Sequence, residues 1–239
     1  MVREAKNIKV LVACEESQAV CAAFRVRGFE AYSCDIQECS GGHPEWHIMG
    51  DAVEALTARK KGYITTMDGV MHEIKESWDL LIAHPPCTYL SNAGACRLYP
   101  AKGQIDIERY SKGLDAKAFF EQFYFAEPYA KRICIENPIP SRVFNLPNKT
   151  QAIQPYEYGH PYTKKTYLWL KNLPTLVPTN IVEPLGPYVC GNAEIWKKQA
   201  ANGKVWGKEK SAKHRSKTFP GIAKAMAEQW GDYLLGAEE

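Results

Sequence analysis

The chain has no apolar run approaching the ~18 residues of a membrane-spanning helix. Its opening, MVREAKNIKV, lacks the pattern of a secretory signal. Both absences lead to the expectation of a soluble, cytoplasmic protein with no membrane partner. A large charge excess is missing too: 30 basic against 27 acidic residues leave +3, too little to announce a nucleic-acid partner by itself. Neither an internal repeat nor a low-complexity segment interrupts the 239 residues, a length that suits one large domain with at most a small appendage. With 45% apolar and 24% charged residues, such a chain can bury a full core without a metal or disulfide staple. The eight cysteines (Cys14, Cys21, Cys34, Cys39, Cys87, Cys96, Cys134 and Cys190) therefore read as reduced thiols. Cys34, Cys39, His43 and His47 do not follow a common zinc spacing, so no metal is expected there and the segment reads as a polar loop after a strand.

What is present is an alternation of short apolar runs with helical patterns. IKVLVA (8–13) predicts a buried strand, and Ser17 to Arg27 carries Val20, Ala23 and Phe24 at helical spacing, closed by Gly28. EAYSCDI predicts a second strand ending in Asp35, and WDLLIAHPPC a third, buried from Trp78 to Ala83 and broken by Pro-Pro. A helix is predicted over 113–131, strands in KRICIENP and TYLWL, and a closing helix over 219–235. Continuous apolar strands alternating with helices predict an α/β fold: a Rossmann-like, mostly parallel sheet with helices on both faces. Residues 1–170 form the expected core, 171–214 a Pro- and Lys-rich insertion, and 215–239 a closing helix returning to the core.

In open parallel sheets ligands bind beyond the carboxyl ends of the strands. Those ends are Cys14-Glu15-Glu16-Ser17, Asp35, His84-Pro85-Pro86-Cys87 and Glu136-Asn137-Pro138. Asp35 stands where an acid commonly holds a ribose hydroxyl pair. Cys87, on a rigid Pro-Pro turn, is placed to face a cleft as a nucleophile. Glu136, at a neighbouring strand end, can act as proton donor or hydrogen-bond partner. Cys21 and Cys134 read instead as small buried hydrophobes.

The segments VLVACEESQAVCAAFRVRGFEAYSCDI, GDA, HPPCTYLSNAG, IENP, YGHPYTKKTYLWL and RSKTFPGIAKAMAEQWG together resemble the DNA (cytosine-5)-methyltransferase family, in that family's order and over nearly the whole chain. The resemblance implies a methyltransferase fold and methyl transfer to carbon 5 of cytosine, with Cys87 as nucleophile and Glu136 beside ring nitrogen 3. It implies S-adenosylmethionine (S-adenosyl-L-methionine) as cofactor, Asp35 on its ribose and Asp51 on its adenine. Ala13, Cys14, Glu15, Glu16, Ser17, Ile36, Ala52, Pro85 and Ser216 complete the implied pocket. Ser91, in the loop SNAGACRLYPAKGQ, is expected at the nucleic acid, with that loop closing over a flipped base. Three departures stand out. The first turn has no glycine before Gly28. Lys164 and Thr166 occupy the family's two Arg positions, so contact with the cytosine carbonyl falls to Lys164 or Lys165. The region left for target recognition, 171–214, is about 45 residues, as in a compact, phage-like member.

Charge distribution supplies what net charge does not. Lys197, Lys198, Lys204, Lys208, Lys210, Lys213, Arg215 and Lys217 meet only Glu209 as acid, with Trp196 and Trp206 among them. That combination suits phosphates and groove walls, so double-stranded DNA is the expected partner, and no obligate protein partner is evident. The short insertion also fits the same chemistry on a free cytosine nucleotide. The glycine-free first turn and the missing second Arg fit a degenerate cofactor- or DNA-binding module that does not catalyse. An amino-methyltransferase is disfavoured, because His84 replaces the amine-accepting carbonyl and Cys87 the stacking aromatic that chemistry needs.

Overall fold

The structure, a computed structural model, describes residues 3–188 and 216–236. Its centre is a seven-stranded sheet built from β1 (Lys9–Ala13), β2 (Glu30–Asp35), β3 (His47–Met49), β6 (Leu80–Ala83), β7 (Ile133–Pro138), β8 (Gln151–Ile153) and β9 (Thr166–Lys171). The strand order is β3-β2-β1-β6-β7-β9-β8. β1, β2, β3, β6 and β7 run parallel, while β9 lies antiparallel between β7 and β8. A separate antiparallel pair, β4 (Tyr63–Thr65) with β5 (Met71–Glu73), stands outside this sheet.

The apolar runs are continuous because both faces of the sheet are covered. Alternate side chains of one strand go to opposite sides: Leu11, Ala13, Leu81, Ala83, Ile133 and Ile135 pack with α2 (Ala52–Leu56) and α4 (Ile107–Tyr124). Val10, Val12, Leu80, Ile82 and Cys134 pack with α1 (Ala19–Val26) and the C-terminal helix. That helix starts as α5 (Pro220–Ala225), passes through a π-helical turn (Met226–Trp230), and ends as α6 (Gly231–Gly236). Arg27 Nη1 reaches this turn, donating to Ala227 O at 2.6 Å and Glu228 O at 2.7 Å, two carbonyls that also accept from Gly231 N. The result is the expected α/β sheet with helices on both faces. Cys21 and Cys134 are fully buried, as read from the sequence.

One predicted element moves. The helix expected over 113–131 occupies Ile107–Tyr124. Asp106, whose side chain accepts from Arg109 N, starts it early. Phe125 ends it, three residues before Pro128, which disfavours helical backbone in the residue ahead of it. The short α3 (Ala95–Leu98) follows the Cys87 loop. The beginning of the Pro-rich insertion, residues 171–188, lies on the core: Leu176 is buried, and Pro174 O accepts from Trp230 Nε1 at 2.9 Å. Among the described residues no helix is long and apolar enough to cross a membrane.

Candidate active site

Strand order reverses between β1 and β6, and at such switch points the loops diverge to leave a crevice. The first turn after β1 forms one wall. Cys14 (φ 60°) and Gln18 (φ 58°) both adopt the left-handed conformation, so non-glycine residues make the bends that glycine makes in other such turns. Each bend costs about 1–2 kcal/mol, and the surroundings hold the turn in place. Glu15 N donates to Cys34 O at 3.0 Å, and Ser40 N to Glu16 O at 2.8 Å. Gln18 bridges to the loop after β2 through His43 O at 2.8 Å and His43 N at 3.1 Å. The Glu15 carboxylate accepts from Val20 N at 2.7 Å and Cys21 N at 3.1 Å, at the positive end of α1. Burial pushes this carboxyl upward, against the opposing pull of His84 and those two amides. Its side chain is thus employed within the fold. Ala13 and Ala52 are likewise core residues, and Glu16 is buried. Ser17 Oγ accepts from Ala19 N at 3.5 Å.

Asp35 ends β2, pairs in register with Met49 on β3, and accepts from Gln37 N at 2.9 Å. Beside it Ile36 is 78% and Met49 56% exposed, apolar surface at the rim of the crevice that suits the face of a purine. Asp51 is exposed, and its Oδ1 caps α2 by accepting from Val53 N at 2.6 Å. An acid for ribose, an adjoining apolar rim and a sharply bent turn together fit an adenosyl cofactor. His43 and His47 have other employment: His43 stacks on Trp46 at 3.7 Å, and His47 joins Ser33 Oγ and Gln37 O.

The opposite wall joins two motifs that are about 50 residues apart in the chain. His84 Nδ1 lies 2.8 Å from Glu136 Oε2, and Asn137 Nδ2 donates to Pro85 O at 2.7 Å. Past Cys87 the chain keeps to the same neighbour: Ser141 N donates to Leu90 O at 2.7 Å, Ser91 bridges to Pro140, and Asn92 N donates to Ile139 O at 2.8 Å. Cys87 itself is half-buried in a turn whose carbonyl accepts from Ser91 N at 2.9 Å. Arg109 steadies the loop, donating to Thr88 O at 2.8 Å and lying over the Tyr89 ring.

Because β9 is antiparallel and begins opposite Pro138, the residues just before it reach the same edge. Lys164 comes close enough for its charge to act on both Glu136 and His84, whereas Lys165 is exposed. Thr218, just before α5, hydrogen-bonds Glu136. Burial alone would raise the Glu136 carboxyl, but His84, then Lys164 and Thr218, hold it below its ordinary value. Burial alone would lower the His84 imidazole; Glu136 first and Glu15 second outweigh it, and the ring is raised. The sequence places His84 at a strand end, but nothing in its local sequence marks Glu136 as its partner. Ser216 is exposed, and Lys217 Nζ donates to Ser40 Oγ at 3.0 Å. Cys190, Trp196, Trp206, Lys197, Lys198, Lys204, Lys208, Lys210, Lys213 and Arg215 lie outside the described residues.

Fold and site define an α/β protein with a buried acid–base pair and a cysteine turn at the sheet's carboxyl edge. Scanned against protein-family models the chain matches none, and a search of curated proteins likewise returns no match.

Proposed function

We propose that the chain is an S-adenosylmethionine-dependent methyltransferase of the DNA (cytosine-5) type, acting through Cys87 and Glu136. The observation that carries this reading is the joining of the two motifs: the Pro-Pro-Cys turn is tied to the Glu-Asn-Pro strand end through His84–Glu136 and Pro85–Asn137. A nucleophile and an acid on opposite segments of one crevice are what an addition to a heteroaromatic ring requires.

Carbon 5 of cytosine is a weak nucleophile until something adds to carbon 6. The Cys87 thiolate makes that addition, and Glu136 at nitrogen 3 offsets the charge that develops in the ring. Lys164 is the cation available for the ring carbonyl. When bound, S-adenosylmethionine supplies an electrophilic sulfonium methyl group. Asp35 would hold its ribose, and Ile36 with Met49 would lie against its purine. After methylation a water takes the carbon 5 proton, the C5–H pair re-forms C5=C6, and the Sγ–C6 pair leaves with Cys87 as thiolate. A stacked base cannot present carbon 6 to a thiolate, so duplex DNA must yield a flipped nucleotide.

The test is transfer of labelled methyl groups to duplex DNA and, separately, to dCMP. Wild type labels DNA and forms a covalent complex with duplexes carrying 5-fluorocytosine. Cys87→Ala abolishes both while retaining its fold, and Glu136→Gln slows transfer by orders of magnitude without releasing cofactor. Robust turnover by Cys87→Ala overturns the assignment. Labelling of dCMP in place of DNA moves the substrate to the free nucleotide, the reading that the short 171–214 segment favours.

A further inference from the structure

His84 has no task in the mechanism above, yet its ring is hydrogen-bonded to Glu136. Its Nδ1 is 2.8 Å from Oε2, and both side chains are close to nine-tenths buried, 12% and 13% exposed. The charged groups around the ring come from three elements. They are Glu136 on β7, Glu15 in the turn before α1, and Lys164 ahead of β9. Among the described residues, two acids therefore face one imidazole, with one cation opposing. Among the described residues no hydrogen-bond partner meets the buried Nε2.

We propose that His84 is a positioning residue for Glu136, the two forming one unit that carries the single proton cytosine nitrogen 3 takes up when Cys87 adds. The proposal rests on the cytosine-5 reading. A lone carboxyl with an ordinary pKa of ~4.3 is ionised at neutral pH and has no proton to give. A coupled pair titrates as a unit and keeps one proton over a wider range. That proton has two resting places, giving imidazolium with carboxylate or imidazole with carboxylic acid. In the second form the Nδ1–H of neutral His84 still donates to Oε2, while Oε1 carries the acidic hydrogen. As the Sγ–C6 bond forms, the C5=C6 pair becomes C4=C5 and the C4=N3 pair moves onto nitrogen 3. Nitrogen 3 takes the Oε1 hydrogen, and the carboxylate left behind is held by Nδ1–H. When carbon 5 takes the methyl group, the C4=C5 pair forms the new bond, the nitrogen 3 pair re-forms C4=N3 and nitrogen 3 gives its hydrogen back to Oε1. The C5–H pair later re-forms C5=C6 as the Sγ–C6 bond breaks. The raised imidazole lets the pair keep its proton to higher pH, resting on the ring beside a carboxylate until nitrogen 3 needs it.

The first measurement needs neither cofactor nor DNA: a pH titration of the His84 ring by NMR in wild type and in Glu136→Gln. The imidazole titrates above its ordinary ~6.5 in wild type and falls by about one unit or more in the variant. An ordinary value in both proteins overturns the proposal. The second uses His84→Asn, which keeps an N–H donor but does not titrate. Its rate of covalent trapping on 5-fluorocytosine DNA loses its alkaline limb at lower pH, and is about tenfold slower at the wild-type optimum. Uniform slowing with an unchanged pH profile marks a merely structural residue and overturns the proposal. If wild type neither traps nor methylates any cytosine, the cytosine-5 reading fails and the relay with it. The NMR shift then still reports whether the pair itself exists.

Discussion

Asp35 and Asp51 reach the same edge of the sheet by different routes, and this separates the consequences of replacing them. Among the described residues the Asp35 side chain is bonded within its own turn, to Gln37. Asp35→Ala should therefore weaken S-adenosylmethionine binding in calorimetry while leaving the melting temperature nearly unchanged. Cofactor binding as tight as wild type would place the pocket elsewhere. Asp51 holds a helix cap, and losing one costs about 1 kcal/mol. Asp51→Ala should therefore lower both affinity and melting temperature. The His84–Glu136 pair adds a pH signature to stability. The raised imidazole contributes fully below its unfolded pKa, and this is lost as pH rises through the folded value. The lowered carboxyl contributes above its unfolded pKa, and this is lost as pH falls through the folded value. Thermal melts should thus show the largest gap between wild type and His84→Asn between about pH 4.3 and 6.5, the ordinary values of the two groups, narrowing on both sides. A gap constant with pH would contradict the charge pairing.

At the scale of elements, the junction between the Tyr158 loop and α5 is the tightest contact near the site. A Cβ on Gly221 would come within 2.0 Å of Tyr158 O, a backbone atom. Gly221 N also donates to His160 Nε2 at 2.9 Å, and burial lowers that imidazole, in keeping with a neutral acceptor. Gly221→Ala must push α5 off this loop. Overpacking of this kind destabilises by about 1–3 kcal/mol, so a clear fall in melting temperature is expected. Because Thr218 leads into α5 and bonds Glu136, methyl transfer should fall more than stability alone accounts for. An unchanged melting temperature would mean that the helix and loop do not meet as described.

For the molecule as a whole, the sheet gathers the chemistry at one edge, and the basic stretch 197–217 is what remains to hold a polyanion. Its charge is a fact of sequence, eight Lys/Arg against one Glu. Backbone contacts displace counterions, so affinity for DNA should fall steeply with salt, each lost phosphate contact flattening the slope by about one unit. Replacing Lys208, Lys210 and Lys213 with Ala should weaken binding at every sequence tested and flatten the slope, leaving site preference as it was. An unchanged slope would return this stretch to a solvated surface and strengthen the free-nucleotide alternative.

How much of this was legible beforehand depends on how local the physics is. Strands β1, β2, β6, β7 and β9 declare themselves because a strand buried on both faces must be apolar throughout, and a run such as KVLVA carries that information within itself. Cys87 and Glu136 could be singled out because Pro-Pro and Asn-Pro mark strand ends, where clefts form. The short strands β3 and β8 and the β4–β5 pair left too few residues for a period to show. The start of α4 depended on one capping Asp, outvoted by the aromatic pattern further along. Sequence could not say that the first turn bends without glycine, because the hydrogen bonds that stabilise Cys14 and Gln18 come from β2 and the loop after it. Nor could it say that Lys164 would lie close enough for its charge to act on Glu136 while Lys165 is exposed. Above all it could not pair His84 with Glu136. Composition and periodicity determined the layered α/β core, because burial is a property of each segment. The tertiary structure alone decided which charges share the crevice, because electrostatics acts through distance in space and not along the chain.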